Sequence, residues 1–132
     1  MRAKINFIIV CNQAFISART NNLNLIGIFS QITSQYFPTH HPRFSLVINF
    51  DTDSAGNHIL KTKILGPNGD KVGQAELPLN ILSSPVQVIS TFENMVFQSP
   101  GRYEIRLSVN GKRLGSQTID LILISNKKPA LA

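Results

Sequence analysis

Cys11, His40, His41 and His58 are the scarce reactive side chains of this sequence, one cysteine and three histidines in 132 residues. With Asp51 and Asp53 they are the candidates for a metal site. Neighbouring residues on an extended segment point to opposite sides, so His40 and His41 would not serve one ion together. A structural zinc takes four ligands, and the sequence holds neither His-Glu-x-x-His nor a second cysteine. Asp51-Thr52-Asp53-Ser54-Ala55-Gly56 echoes the first half of a calcium loop. The twelfth place, which needs a bidentate carboxylate, falls on Thr62. The expectation is loop and surface histidines, with no cofactor.

Covalent chemistry fares little better. Cys11 with a histidine would make a hydrolase-like enzyme, since such groups assemble from distant parts of a chain. Yet Cys11 ends the apolar run Phe7–Cys11, where a free cysteine behaves as a small buried hydrophobe. There is no Gly-x-Ser-x-Gly elbow. Gly66–Lys71, GPNGDK, reads as a turn and lacks the hydroxyl residue and following helix of a phosphate cradle. The seven acidic residues nominate no catalytic pair. The reading is a non-catalytic module, with the Cys11–histidine hydrolase as an alternative.

Binding surfaces remain. Thirteen Lys+Arg against seven Asp+Glu leave +6. Arg102 and Arg106 share the outward side of one strand, Lys112 and Arg113 lie past the next turn, and Lys61 and Lys63 come from another strand. These six are candidates for polyanion contact, and weak nucleic-acid binding is a second alternative. Glu104 breaks the run between the two arginines, and no aromatic–basic alternation offers a stacking platform. Tyr36, Phe37 and Pro38 are candidate protein contacts. Their irregular segment would either plug the core or present an aromatic anchor. The expected partner is an unidentified protein, or a second copy joined through a sheet edge.

The elements that must position these residues are strands. Tyr103, Ile105, Leu107 and Val109 alternate with polar residues, and Asn110-Gly111 is the pair best suited to a type I′ hairpin. A return strand follows from about Leu114 to Leu123. Lys4–Cys11 is apolar on both faces, which predicts a strand that is central or covered on both sides. Further strands are expected over Leu23–Phe29, with Gly27 marking a bulge or close approach, and over Arg43–Phe50, His58–Leu65, Lys71–Leu79 and Val86–Phe97. Pro78 places its strand at an edge or ends it there, and alternation slips around Phe92–Met95 as a bulge or a break. Asn12–Asn22 and Ser30–Pro42 read as irregular. About eight strands and no amphipathic helix predict an all-β fold, a two-layer antiparallel β-sandwich of immunoglobulin-like general architecture. The length suits one domain, residues 1–125, followed by a flexible tail at 126–132. No apolar run is long enough to span a bilayer, and the lone cysteine fits a cytoplasmic protein.

Cys11-Asn12, Leu25-Ile26-Gly27-Ile28-Phe29, Phe37-Pro38 with His41, and Pro100-Gly101-Arg102-Tyr103 together resemble the DUF6941 family of small bacterial proteins of unknown function. That family carries Cys-Asp near its start, so Asn12 is a departure that weakens any charge-based role there. The resemblance covers most of the chain and implies no activity. Gly101 and Tyr103 also resemble the corner of immunoglobulin-like modules, where a tyrosine hydroxyl pins a late strand, although the usual cysteine pair and tryptophan are missing.

Overall fold

The computed structural model describes residues 2–124, and within them every regular element is a strand. In chain order these are β1 (Ala3–Ile16), β2 (Leu23–Ile28), β3 (Gln31–Ser34), β4 (Thr39–Thr52), β5 (Gly56–Leu65), β6 (Lys71–Ile81), β7 (Val86–Phe97), β8 (Gly101–Val109) and β9 (Lys112–Leu123). They form two sheets, a four-stranded one in the order β2-β1-β4-β7 and a five-stranded one in the order β3-β9-β8-β5-β6. The inner faces meet around Phe44, Leu46, Ile48, Phe50, Leu60, Ile64, Ile105 and Leu107, all essentially inaccessible. The pairs β4–β7 and β5–β8–β9 set the immunoglobulin-like architecture, to which β1 and β2 add a long N-terminal hairpin. The tail expected at 126–132 lies outside the described residues.

Two details refine the sequence reading. The ninth strand is β3, inside the stretch expected to be irregular, and it runs parallel to β9 from Gln31↔Asp120 to Ser34↔Leu123. Every other pairing is antiparallel. The chain crosses from one sheet to the other between Ile28 and Gln31, as Phe29 N–H reaches back to Val10 O and Asp120 N–H to Ser30 O. The remainder of the irregular stretches is also ordered. β1 runs on to Ile16 and pairs with β2 along its whole end, and β4 begins at Thr39.

The turns follow their residues. Asn110 and Gly111 have φ of 50° and 83°, the two left-handed positions of a type I′ turn. Asn110 also bonds across to β5, its N–H to Ile59 O and its Oδ1 accepting from Ile59 N–H. The slip near Phe92–Met95 is a shared kink. His41 and Phe44 on β4, and Phe92 and Met95 on β7, are three residues apart yet turn toward the same side, while pairing stays in register. Asn94, at φ 56°, supplies the bend opposite Pro42, which has no N–H to give the ladder. Pro78 lies on β6 at the sheet's edge, as predicted.

Candidate functional site

The chemistry-bearing residues are dispersed. Cys11 is fully buried, and its Sγ–H donates to Gln13 O at 3.3 Å. Burial pushes its thiol pKa up, against a smaller opposing effect of that hydrogen bond. A protonated, enclosed thiol is the reverse of an activated nucleophile. Cys11 pairs with Ser45 on β4 and alternates with Val10, a core residue, so it lies on the outer face of the four-stranded sheet. His41 packs on the inner side, with ring centroids 5.7 Å from Phe29 and 5.9 Å from Phe44. The sheet thus lies between Cys11 and this histidine, and no hydrogen bond among the described residues joins Cys11 to any histidine side chain. Burial lowers the His41 pKa, a hydrogen bond to the Arg43 backbone opposes this, and the charge of His40 adds to the lowering.

His40 points away from His41 and reaches Asn94 Oδ1 at 3.3 Å, as adjacent residues on a strand must. His58 Nδ1 lies 2.7 Å from Asn110 Nδ2. Among the described residues no three His, Cys, Asp or Glu side chains converge on a point that could hold a metal ion. Thr62, the twelfth place of the calcium echo, is buried. Asp53 instead accepts from the Arg2 N–H at 2.8 Å, which holds its carboxyl below the usual range.

Of the candidate protein contacts, Tyr36 is 68% exposed, Phe37 packs partly against the core, and Pro38 follows a cis bond. The segment therefore divides its roles, one aromatic outward and one inward. Motif residues Asn12, Gly27, Phe29 and His41 lie at one end of the four-stranded sheet, whereas Pro100–Tyr103 leads into β8 of the other sheet. Gly27, at φ 70°, sits opposite Asn12, and a Cβ there would lie 3.0 Å from Asn12 Cγ and 3.2 Å from its Cβ. That is the close approach expected at this glycine. Phe29, His41 and Phe44 form an aromatic group beside it. These contacts are structural: they seat the β1–β2 hairpin on the core.

Five of the six basic candidates come together on the outer face of the five-stranded sheet. Arg102 grips Asp120 through Nε–Oδ1 at 2.8 Å and Nη2–Oδ2 at 3.3 Å. Glu104 accepts from Arg106 at 2.7 Å and Arg113 at 3.2 Å, and Lys61 lies 3.7 Å from Glu76. The hydrogen bond from Arg106, with the two positive charges, holds the Glu104 carboxyl below its usual range. Lys63 faces Arg106 directly across the β5–β8 pair. Lys112 is placed at the hairpin end, where it lines a separate hollow with Arg2 and Leu114.

The residues missed by the sequence reading form the outer face of the four-stranded sheet. Phe7, Ile9, Cys11, Gln13 and Phe15 on β1 line up with Ile26 and Ile28 on β2, with Ser45, Val47 and Asn49 on β4, and with Gln87, Ile89 and Thr91 on β7. Ile26 and Ile28 are 53% and 65% exposed. No charged side chain interrupts this set, and Arg43 opposite Glu93 marks its end. Sequence had signalled it, because β1 is apolar on both sides. Of the two arrangements expected for such a strand the structure has the first: β1 is central in its sheet, and among the described residues only its inner face meets the second sheet.

No curated protein matches the chain. Solved structures similar to it include a Pseudomonas fluorescens alkylpurine DNA glycosylase, AlkC, bound to DNA containing an abasic site analog. The two are 17% identical with a TM-score of 0.51 over 91% of this chain, which spans 30% of the glycosylase chain. An immunoglobulin-like protein from Pseudomonas aeruginosa is 11% identical with a TM-score of 0.43, over 92% of this chain and 97% of that one. At these identities the likeness to the glycosylase concerns the fold alone. A family model described as "Family of unknown function (DUF6941)" matches residues 6–122, and the chain belongs to that family.

Proposed function

We propose that the chain is a non-catalytic assembly module that works through the outer face of its four-stranded sheet, and that the partner on that face is a second copy of the chain. The observation that carries this reading is the uncharged, largely apolar set of side chains from Phe7 to Ile89, with Ile26 and Ile28 standing in solvent. Patches of this kind on a soluble fold mark association sites. The set spans nine residues of β1, five each of β4 and β7 and three of β2, which at ~3.3 Å per residue and ~4.8 Å between strands gives a footprint of about 350 Å². That is below the ~800 Å² per partner of a standard-size interface and suits a modest, concentration-dependent association.

Charge supports a copy rather than an oppositely charged partner. The chain carries +6, yet this face holds none of it, and the cationic strand face lies on the opposite sheet. Two copies joined face to face about a two-fold axis keep those cations apart. The expected edge-to-edge alternative has weaker support, because each free edge is interrupted. β2 contains the positive-φ Gly27, β7 the positive-φ Asn94, β6 Pro78, and β3 is four residues long. We place the module in the cytoplasm, on the strength of its lone Cys11, and no helix of the described residues is long and apolar enough to cross a membrane.

Nucleic acid is the second reading, drawn from the basic strand face and from the DNA-bound glycosylase of similar fold. Asp120, Glu104 and Glu76 cross that face and neutralise much of it, which disfavours an extended polyanion. Sedimentation velocity on the full chain tests the main reading. A monomer–dimer equilibrium is expected between about 1 and 200 µM, a range typical of modest interfaces. A monomer across that whole range overturns copy-on-copy assembly.

A further inference from the structure

We infer that the groove over Lys63 and Arg106, on the outer face of the five-stranded sheet, binds a compact phosphate-type oxyanion carrying two or more negative charges. The groove has a volume of about 600 Å³ and is walled by Lys61, Lys63, Arg106 and Arg113. That size falls within the ~300–1,000 Å³ of small-ligand sites.

Its charges are incompletely matched. Glu104 serves both Arg106 and Arg113, and Glu76 lies 3.7 Å from Lys61. Four cations thus meet two carboxylates, and Lys63 has no ion pair among the described residues. Lys63 and Arg106 are directly opposed on neighbouring strands, a like-charge pairing that weakens a sheet unless an anion lies between them. Arg106 is also under-used as a donor. Its Nη2 binds Glu104, while its Nε–H is shielded and has no acceptor among the described residues. Ser108 on the same wall adds a neutral hydrogen-bonding group.

The same residues limit the ligand's size. Glu76 closes one side of the Lys63–Arg106 pair and Glu104 the other, so a long polyanion would meet carboxylates on leaving the groove. A short di- or trivalent oxyanion would not. Phosphate oxygens suit the planar guanidinium of Arg106 and the point charge of Lys63. This site is on the sheet opposite the proposed assembly face, so either can fail without the other.

Titration calorimetry of the full chain with pyrophosphate, at low salt, tests the inference. Saturable binding with Kd below about 1 mM is expected, and at least tenfold weaker binding in Lys63→Gln and in Arg106→Gln. Arg19→Gln, on the β1–β2 loop, controls for general charge and should bind like the parent. Binding that is absent, or unchanged in both groove variants, overturns the site. A single-stranded oligonucleotide is run in parallel. If it binds in a Lys63-dependent way while pyrophosphate does not, the compact-ligand assignment is overturned.

Discussion

Replacing Ile28 by Ala should weaken self-association by orders of magnitude while leaving the monomer's stability almost unchanged. Ile28 is 65% exposed in the single chain. Full burial of an isoleucine side chain is worth about 1.5–3 kcal/mol, so covering the exposed part contributes about 1–2 kcal/mol per copy. A two-fold interface contains the residue twice, which makes the loss about 2–4 kcal/mol, or roughly 30- to 700-fold in Kd. Unfolding of the monomer should shift by no more than about 0.5 kcal/mol, as for other exposed positions. Sedimentation equilibrium gives the first quantity and urea denaturation at low protein concentration the second. Ile59→Ala is the control, since Ile59 is 49% exposed but belongs to the opposite sheet. An unchanged Kd in Ile28→Ala, or an equal loss in Ile59→Ala, would refute the assignment of the assembly face.

Tyr103→Phe should cost about 1–2 kcal/mol, because the buried hydroxyl donates to Ser99 O at 2.7 Å and its loss strands that carbonyl. Thermal denaturation should show a drop of about 4–8 °C, and no drop would mean the corner carries no weight. Gly27→Ala places an L-residue at φ 70° against Asn12 and should destabilise by about 2 kcal/mol. Adding Asn12→Ala should return the steric share but not the backbone share, so strict additivity of the two changes would count against the contact. Burial lowers the His41 pKa in the folded chain, so as pH falls the unfolded chain takes up its proton first, near the ordinary imidazole value. Its contribution is therefore complete above about pH 6.5 and is lost as pH falls below it. The stability difference between the parent and His41→Phe should change in that window, and a flat difference from pH 8 to about 5 would contradict the environment assigned to the ring.

Much of the sandwich was legible because period-two alternation and turn residues are local signals. β7 fills the span Val86–Phe97 within which a strand was expected, and Asn110-Gly111 turns as its φ preferences require. Gly27 and Pro78 were readable for the same reason, since a left-handed backbone and a missing N–H are properties of one residue. β3 was not. Its four residues hold no alternating pattern of note and are made a strand by the hydrogen bonds of β9, about ninety positions away. The end of β1 is similar: Asn12 and Gln13 are polar, and β2 supplies the partners that keep them extended.

The candidate sites divide along the same line. Sequence by itself determined which chemistry the chain has available: one thiol, few histidines, scattered acids, and a first strand that is apolar on both sides. It also determined that Lys61 and Lys63, like Arg102 and Arg106, project to one side of their own strand. Only the tertiary structure decided that Lys63 meets Arg106 and that Glu104 is shared between two arginines. It alone decided that the sheet separates Cys11 from His41, and that the second apolar side of β1 joins three other strands in an open face. The physical reason is that side-chain direction along a strand follows from the backbone's two-residue repeat. Which strands lie beside it depends on register and layer packing, set by contacts between residues far apart in the chain.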